Sequence, residues 1–191
     1  NNTNGVATYA LLVNGAPINT ASGISTYAYT INNITQNQTY TLQVTQGTSV
    51  QSRSFSVLVN PGVISEALPS AALVEGLNYN TGDATKATLV LSAPGKDFVY
   101  VAGSFNNWQP NSSYAMRKDP TSGRFWLELT GLTSGTQYTY QYWVVDESPI
   151  AGSPVMVKTA DPYSTLVLNK EEDPWIPAGN YPNIPAYPVG Q

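Results

Sequence analysis

The feature that most constrains this chain is a rhythm of short strands. Runs of alternating residues recur about every ten positions, the spacing of a β-sandwich. They read VATYALLVNG from Val6, ISTYAYTI from Ile24, QTYTLQVTQG from Gln38 and VQSRSFSVLV from Val50. Asn/Gly- or Asn/Gln-rich turns separate them. The second half continues with ATLVLSAP, DFVYVAG, GRFWLELTGL and TQYTYQYWVVD, then shorter runs at PVMVKTA and STLVLN. No apolar pattern of period 3.6 is sustained for three turns, so helices have no foothold. Charged residues are only 10% of the chain, and Thr, Ser, Asn, Gln, Gly and Tyr abound. This is an all-β composition with a polar, uncharged surface.

The 191 residues suffice for two domains of ordinary size. A break falls at Asn60-Pro61-Gly62, where a strand stops at a turn dipeptide. The expected organisation is a first sandwich over residues 1–62 and a second over 63–170. Residues 171–191 form a proline-rich C-terminal linker, extended and semi-rigid. ISEALPSAALVEGLNYNTG reads as a connector with a short helical turn at Glu66–Leu68. An internal echo supports two related sandwiches. TYAYTINNITQNQTYTLQV and RFWLELTGLTSGTQYTYQYWV share a strand, an apolar-Thr turn and a second strand that begins with Tyr, so Tyr138 repeats the role of Tyr40.

Charge and missing residue types exclude several functions. A net charge of −4 without any Lys/Arg cluster provides no footprint for nucleic acid or an anionic membrane surface. With no His and no Cys, imidazole triads and the usual zinc sites cannot be assembled, and no cofactor or metal is implied. Most of the twelve Asp and Glu side chains lie in turns or in the Glu171-Glu172-Asp173 run, so no catalytic residues are assigned. A small glycosidase would require Asp146 or Glu147 to face Asp119 across a cleft. Low charge with many Tyr, Asn and Thr points to an extracytoplasmic, bacterial protein.

The stretch FVYVAGSFNNW, Phe98 to Trp108, is the candidate site. It opens as a strand, breaks at Gly103, and delivers Asn106, Asn107 and Trp108 into a loop. Two amides beside a flat indole suit a sugar ring with an apolar face and a hydroxyl rim. The alternative is that Trp108 caps the end of the sandwich core. Alternation on the neighbouring strands sets Phe125, Leu127 and Leu129 against Arg124, Trp126 and Glu128. It likewise sets Tyr138, Tyr140 and Tyr142 against Thr139, Gln141 and Trp143. If Gly131–Thr136 closes a hairpin, Trp126 lies beside Gln141 and Trp143 on one outer face. That pair of tryptophans then needs a partner, whether a glucan, the first sandwich or a neighbouring domain.

Two resemblances extend this reading. INNITQNQTYTLQV is similar to the corner of fibronectin type III and other immunoglobulin-like domains, which implies that Ile34 plugs the core and that the Tyr40 hydroxyl bonds the backbone of the turn. Four strands are fewer than the seven of such a domain; either the chain begins inside it or the sandwich is a reduced one. Gly95-Lys96, GSFNNW, the GRFWLEL strand, the YTY strand and Asp161-Pro162-Tyr163 together resemble carbohydrate-binding module family 48. That family includes the glycogen-binding domain of the AMP-activated kinase β-subunit and early immunoglobulin-like modules found beside the barrels of glycoside hydrolase family 13, the α-amylase family. The likeness covers roughly residues 84–164, a little under half the chain. Together with the fibronectin-like corner it implies two tandem immunoglobulin-like β-sandwiches preceding a catalytic barrel of the same polypeptide. The implied partner is an α-glucan, held at Asn106, Asn107, Trp108, Thr139 and Gln141. Trp126 and Trp143 would serve as an interface or a second aromatic platform. Thr139 stands where glycogen-binding members carry a Lys, and ESPIAGSPVM lacks their second Trp. The sequence thus departs toward the members that pack on their barrel. The expected role is to bind or position starch, glycogen or maltooligosaccharide; the alternative is a structural spacer without sugar binding.

Overall fold

The computed structural model describes residues 5–171, 173, 179 and 185–187. The chain is nearly all β, in three antiparallel sheets. It divides into two compact units, Asn1–Asn60 and Pro61–Gln191.

The first unit is one four-stranded sheet among its described residues. Its strands are β1 (Ala7–Val13), β2 (Ala16–Ile24), β3 (Gln38–Gln46) and β4 (Ser49–Val57), in the order β2-β1-β3-β4. Asn14 and Gly15 turn the first hairpin with φ of 51° and 81°, the left-handed pair that a two-residue hairpin turn demands. That turn decides the register. It starts β2 at Ala16, so ISTYAYTI, expected to be a strand, is largely irregular. Tyr27 from this segment stacks on Tyr9 at 5.4 Å and donates to Asn19 Oδ1 at 2.9 Å.

Alternation gives the sheet two unlike faces. Ala7, Tyr9, Leu11 and Tyr40 are buried on one, where Tyr40 stacks on Phe55 at 5.5 Å. The other carries hydroxyl pairs, Thr8 with Ser22, Thr39 with Ser56 and Thr41 with Ser54. Tyr40 donates to the Gln38 side chain at 2.6 Å, not to the turn backbone. Ile34 is half-buried.

The second unit packs two sheets face to face. One contains β5 (Gly76–Tyr79), β6 (Ala87–Leu91), β8 (Arg117–Lys118) and β9 (Phe125–Leu129), in the order β5-β6-β9-β8. The other contains β7 (Phe98–Gly103), β10 (Tyr140–Val145) and β11 (Met156–Thr159), in the order β11-β10-β7. Leu89, Leu91, Phe125, Leu127 and Leu129 from the first sheet meet Val99, Val101 and Tyr142 from the second in one core. The chain changes sheets at Met116, which is buried in that core. Its N–H bonds Val99 O at 2.9 Å, and the next two residues pair with β9.

Several expectations change here. The connector contains a strand, β5, too short for its alternation to stand out, and Glu66–Leu68, expected to make a helical turn, is irregular and follows a parallel bridge from Ser65 to Lys118. The segment after β9 crosses between sheets and closes no hairpin, because β9 pairs with β6 and β8 while β10 pairs with β7 and β11. Trp126 and Trp143 therefore sit on opposite outer faces. STLVLN contains no strand.

Candidate functional site

A groove of about 650 Å³ lies in the second unit, lined by Trp108, by Gln137 to Gln141, by β5 and by the chain from Lys158 to Leu168. Pro185 and Tyr187 also line it. Its volume falls within the roughly 300–1,000 Å³ of ordinary ligand sites.

The loop that carries Trp108 is fixed by backbone chemistry. Gly103 is extended, and a Cβ there would lie 2.6 Å from Thr139 O and 2.7 Å from Phe105 Cε1, so only glycine fits. The chain then makes a 3-10 turn over Ser104–Asn106 and continues through two left-handed residues, Asn107 at φ 52° and Trp108 at φ 59°. A bulky residue in that region costs about 1–3 kcal/mol and persists only where its surroundings over-determine it. Here they do. Trp108 N–H bonds Gly103 O at 2.9 Å and Gln109 N–H bonds Asn106 O at 3.0 Å. The Asn106 side chain accepts from Gly103 N–H at 2.9 Å and donates to Val101 O at 3.0 Å.

The five residues expected to touch a ligand thus separate into roles. Trp108, half-exposed, joins Thr139 and Gln141 in the groove lining. Asn106 directs its amide into the loop and positions Trp108. Asn107 is exposed at the turn and does not line the groove. Trp126 is buried, donating from Nε1 to Glu66 O at 2.9 Å beneath the Arg117 guanidinium. Trp143 is buried under the Lys158 ammonium, 4.1 Å from the ring centre, and its indole N–H has no hydrogen-bond partner. Burial pushes the Lys158 pKa down.

The groove also contains residues that the sequence reading passed over. β5 is the edge of its sheet, and Leu77 and Tyr79 pair with Leu89 and Ala87, so both point to the core side. Yet Leu77 is 38% and Tyr79 80% exposed, whereas their partners on β6 are buried. The strand overhangs, and its inward side chains form a groove wall. Below them Asp161, buried, accepts from the Tyr140 and Tyr142 hydroxyls at 2.7 and 3.1 Å and from Tyr163 N–H at 2.8 Å. The Tyr163 hydroxyl donates to Glu75 Oε2 at 2.6 Å, tying the segment after β11 to the residue before β5. The signal for Tyr163 was the Asp161-Pro162-Tyr163 motif. Tyr79 had none once β5 was read as connector.

Burial and then the bond to Asp161 push Tyr140 far above the ordinary phenol range; burial and then the adjacent Tyr140 do the same for Tyr142. Both remain protonated donors at physiological pH. The carboxylates of a potential acid–base pair are engaged outside the groove lining. Asp119 accepts from Leu68 N–H and from Ser122, and Asp146 pairs with Lys96 at 2.9 Å. Among the described residues no group of acidic side chains clusters as a metal ion would require. Compared with known proteins, the chain matches no family model and no curated protein.

Proposed function

We propose that this chain is the non-catalytic N-terminal part of an exported α-amylase-family glycoside hydrolase, and that its second unit binds α-glucan. In this reading the first unit is a reduced immunoglobulin-like module of one sheet, and the second is an immunoglobulin-like module akin to carbohydrate-binding module family 48. Residues 171–191, most of which lie outside the described residues, are read as the linker of such an enzyme. The observation that carries the reading is Trp108, held half-exposed in a left-handed conformation beside Thr139 and Gln141 in the groove. An indole face stacks on the apolar face of a pyranose, while the Gln141 amide and Thr139 hydroxyl reach its rim. One such contact supports weak binding, a Kd of about 1 mM or about 4 kcal/mol, which becomes useful when the site is tethered to an enzyme.

The test is a titration of the 191-residue chain with maltoheptaose, followed by Trp fluorescence. Saturable quenching is expected in the wild type, weakened about tenfold by Trp108→Ala through loss of about 1.4 kcal/mol of stacking. A second reading, a structural spacer, draws on the outer face of the three-stranded sheet, where Phe98, Tyr100 and Trp143 are all buried. A wild type that gives no response up to tens of millimolar sugar would leave the spacer standing.

A further inference from the structure

We infer that the groove takes a chain and not a single ring, with the overhanging β5 edge as a second subsite where Tyr79 stacks on a more distal residue of the α-glucan. This rests on the glucan reading above and deepens it.

Tyr79 and Trp108 come from different walls, one from the edge strand of the four-stranded sheet and the other from the loop after β7. Tyr79 is 80% exposed on a strand whose side-chain alternation directs it inward, an arrangement that leaves a large aromatic surface wet unless a ligand covers it. Beside it, Tyr163 is 59% exposed, its ring held in place by the bond from its hydroxyl to Glu75 Oε2. That bond occupies one carboxylate oxygen and leaves Oε1 of Glu75 as an acceptor at the groove margin. Aromatic surface next to a hydroxyl acceptor repeats the chemistry of the Trp108 end. A groove of about 650 Å³ with such surfaces on two walls fits several linked rings. Joining two weak contacts through one ligand makes the second intramolecular, so affinity must climb with chain length.

Calorimetric titrations with maltose and maltoheptaose, on wild type, Tyr79→Ala and Tyr79→Phe, test this. In the wild type maltoheptaose should bind at least about tenfold more tightly than maltose. Tyr79→Ala should weaken maltoheptaose about fivefold to tenfold and leave maltose within about twofold, while Tyr79→Phe, which keeps the ring, should behave as wild type. Equal loss for both sugars would place Tyr79 and Trp108 on the same ring and overturn the second subsite. So would wild-type affinity that does not depend on length, or no effect of Tyr79→Ala. A wild type that binds neither sugar overturns the glucan reading itself, and this inference with it. Because Tyr79 is 80% exposed, neither substitution removes core packing, and an unchanged Trp emission spectrum checks the fold of the variants.

Discussion

The two units are built from the same strand rhythm and reach different solutions. In the first, one sheet buries Ala7, Tyr9, Leu11 and Tyr40 on a single face and shows rows of Ser and Thr hydroxyls on the other. In the second, a core cluster of nine buried residues joins two sheets, and Val90, Trp126, Tyr100 and Trp143 are buried on the outer faces as well. The difference lies in alternation. In β3 Tyr40, Leu42 and Val44 alternate with Thr or Gln, and β4 is mostly polar, which fits a sheet with one wet face, whereas ATLVL and FVYVA are buried on both sides.

The sharpest way to break this comparison is to remove the anchor of the thinner unit. Tyr40→Ala deletes a fully buried ring stacked on Phe55, a loss of about 3–5 kcal/mol by the cost of comparable aromatic truncations. With so few buried neighbours the first unit should unfold. All four tryptophans lie beyond residue 60, so Trp emission reports the second unit alone. The expected result is rapid proteolysis within residues 1–60 with Trp emission unchanged; a red-shifted emission would show that the thicker unit depends on the thinner one.

The matching experiment in the second unit is Asp161→Ala. It leaves the Tyr140 and Tyr142 hydroxyls without their carboxylate acceptor and frees the Tyr163 backbone from its turn. Hydrogen bonds to a charged group contribute about 1.5–3 kcal/mol each, partly offset because a buried carboxylate no longer has to be desolvated. A net loss of about 3 kcal/mol is expected in urea unfolding followed by Trp fluorescence. A shift below about 1 kcal/mol would mean that water replaces the carboxylate and that the segment after β11 is no clasp.

The same contrast explains what the sequence made legible. Strands with strong alternation or apolar runs, β1, β3, β4, β6, β7, β9, β10 and β11, were visible because side-chain period is a local property. β2 and β5 were not. β2 is specified by the Asn14-Gly15 turn more than by its own weakly alternating residues, and β5 is four residues of an edge whose partners lie 8 to 14 positions on. The tyrosine that bonds a turn backbone is Tyr138, whose hydroxyl accepts from Thr133 N–H at 3.0 Å, and not its echo Tyr40. Likewise, GSFNNW marked a loop whose Trp108 lines the groove, but which of its amides faces outward depends on the Gly103 close approach, a tertiary fact. The pairing of Trp126 with Trp143 failed for the same reason: sheet membership is long-range.

A smaller effect separates the units by pH. The first unit has one charged side chain, Arg53, and no Asp or Glu, so all twelve carboxylic side chains belong to the second. In that unit the Ser122 hydroxyl and N–H hold the Asp119 carboxyl below its ordinary range. The Lys96 ammonium does so for Asp146, and Thr85 for Asp83. A carboxyl whose folded pKa lies below its unfolded value of about 3.9 adds stability that is complete above that value and is lost as pH falls through the folded pKa. Urea midpoints read by Trp fluorescence should therefore fall as pH drops below about 4. The first unit, read by proteolysis of residues 1–60, should hold level because no carboxylate in it titrates. Asp119→Asn should flatten part of the acid slope without abolishing it, since Asp146 and Asp83 still titrate. An unchanged slope in that variant would show that Ser122 bonds the protonated carboxyl as well as the ionised one, and an equal acid slope in the first unit would trace its stability to the second.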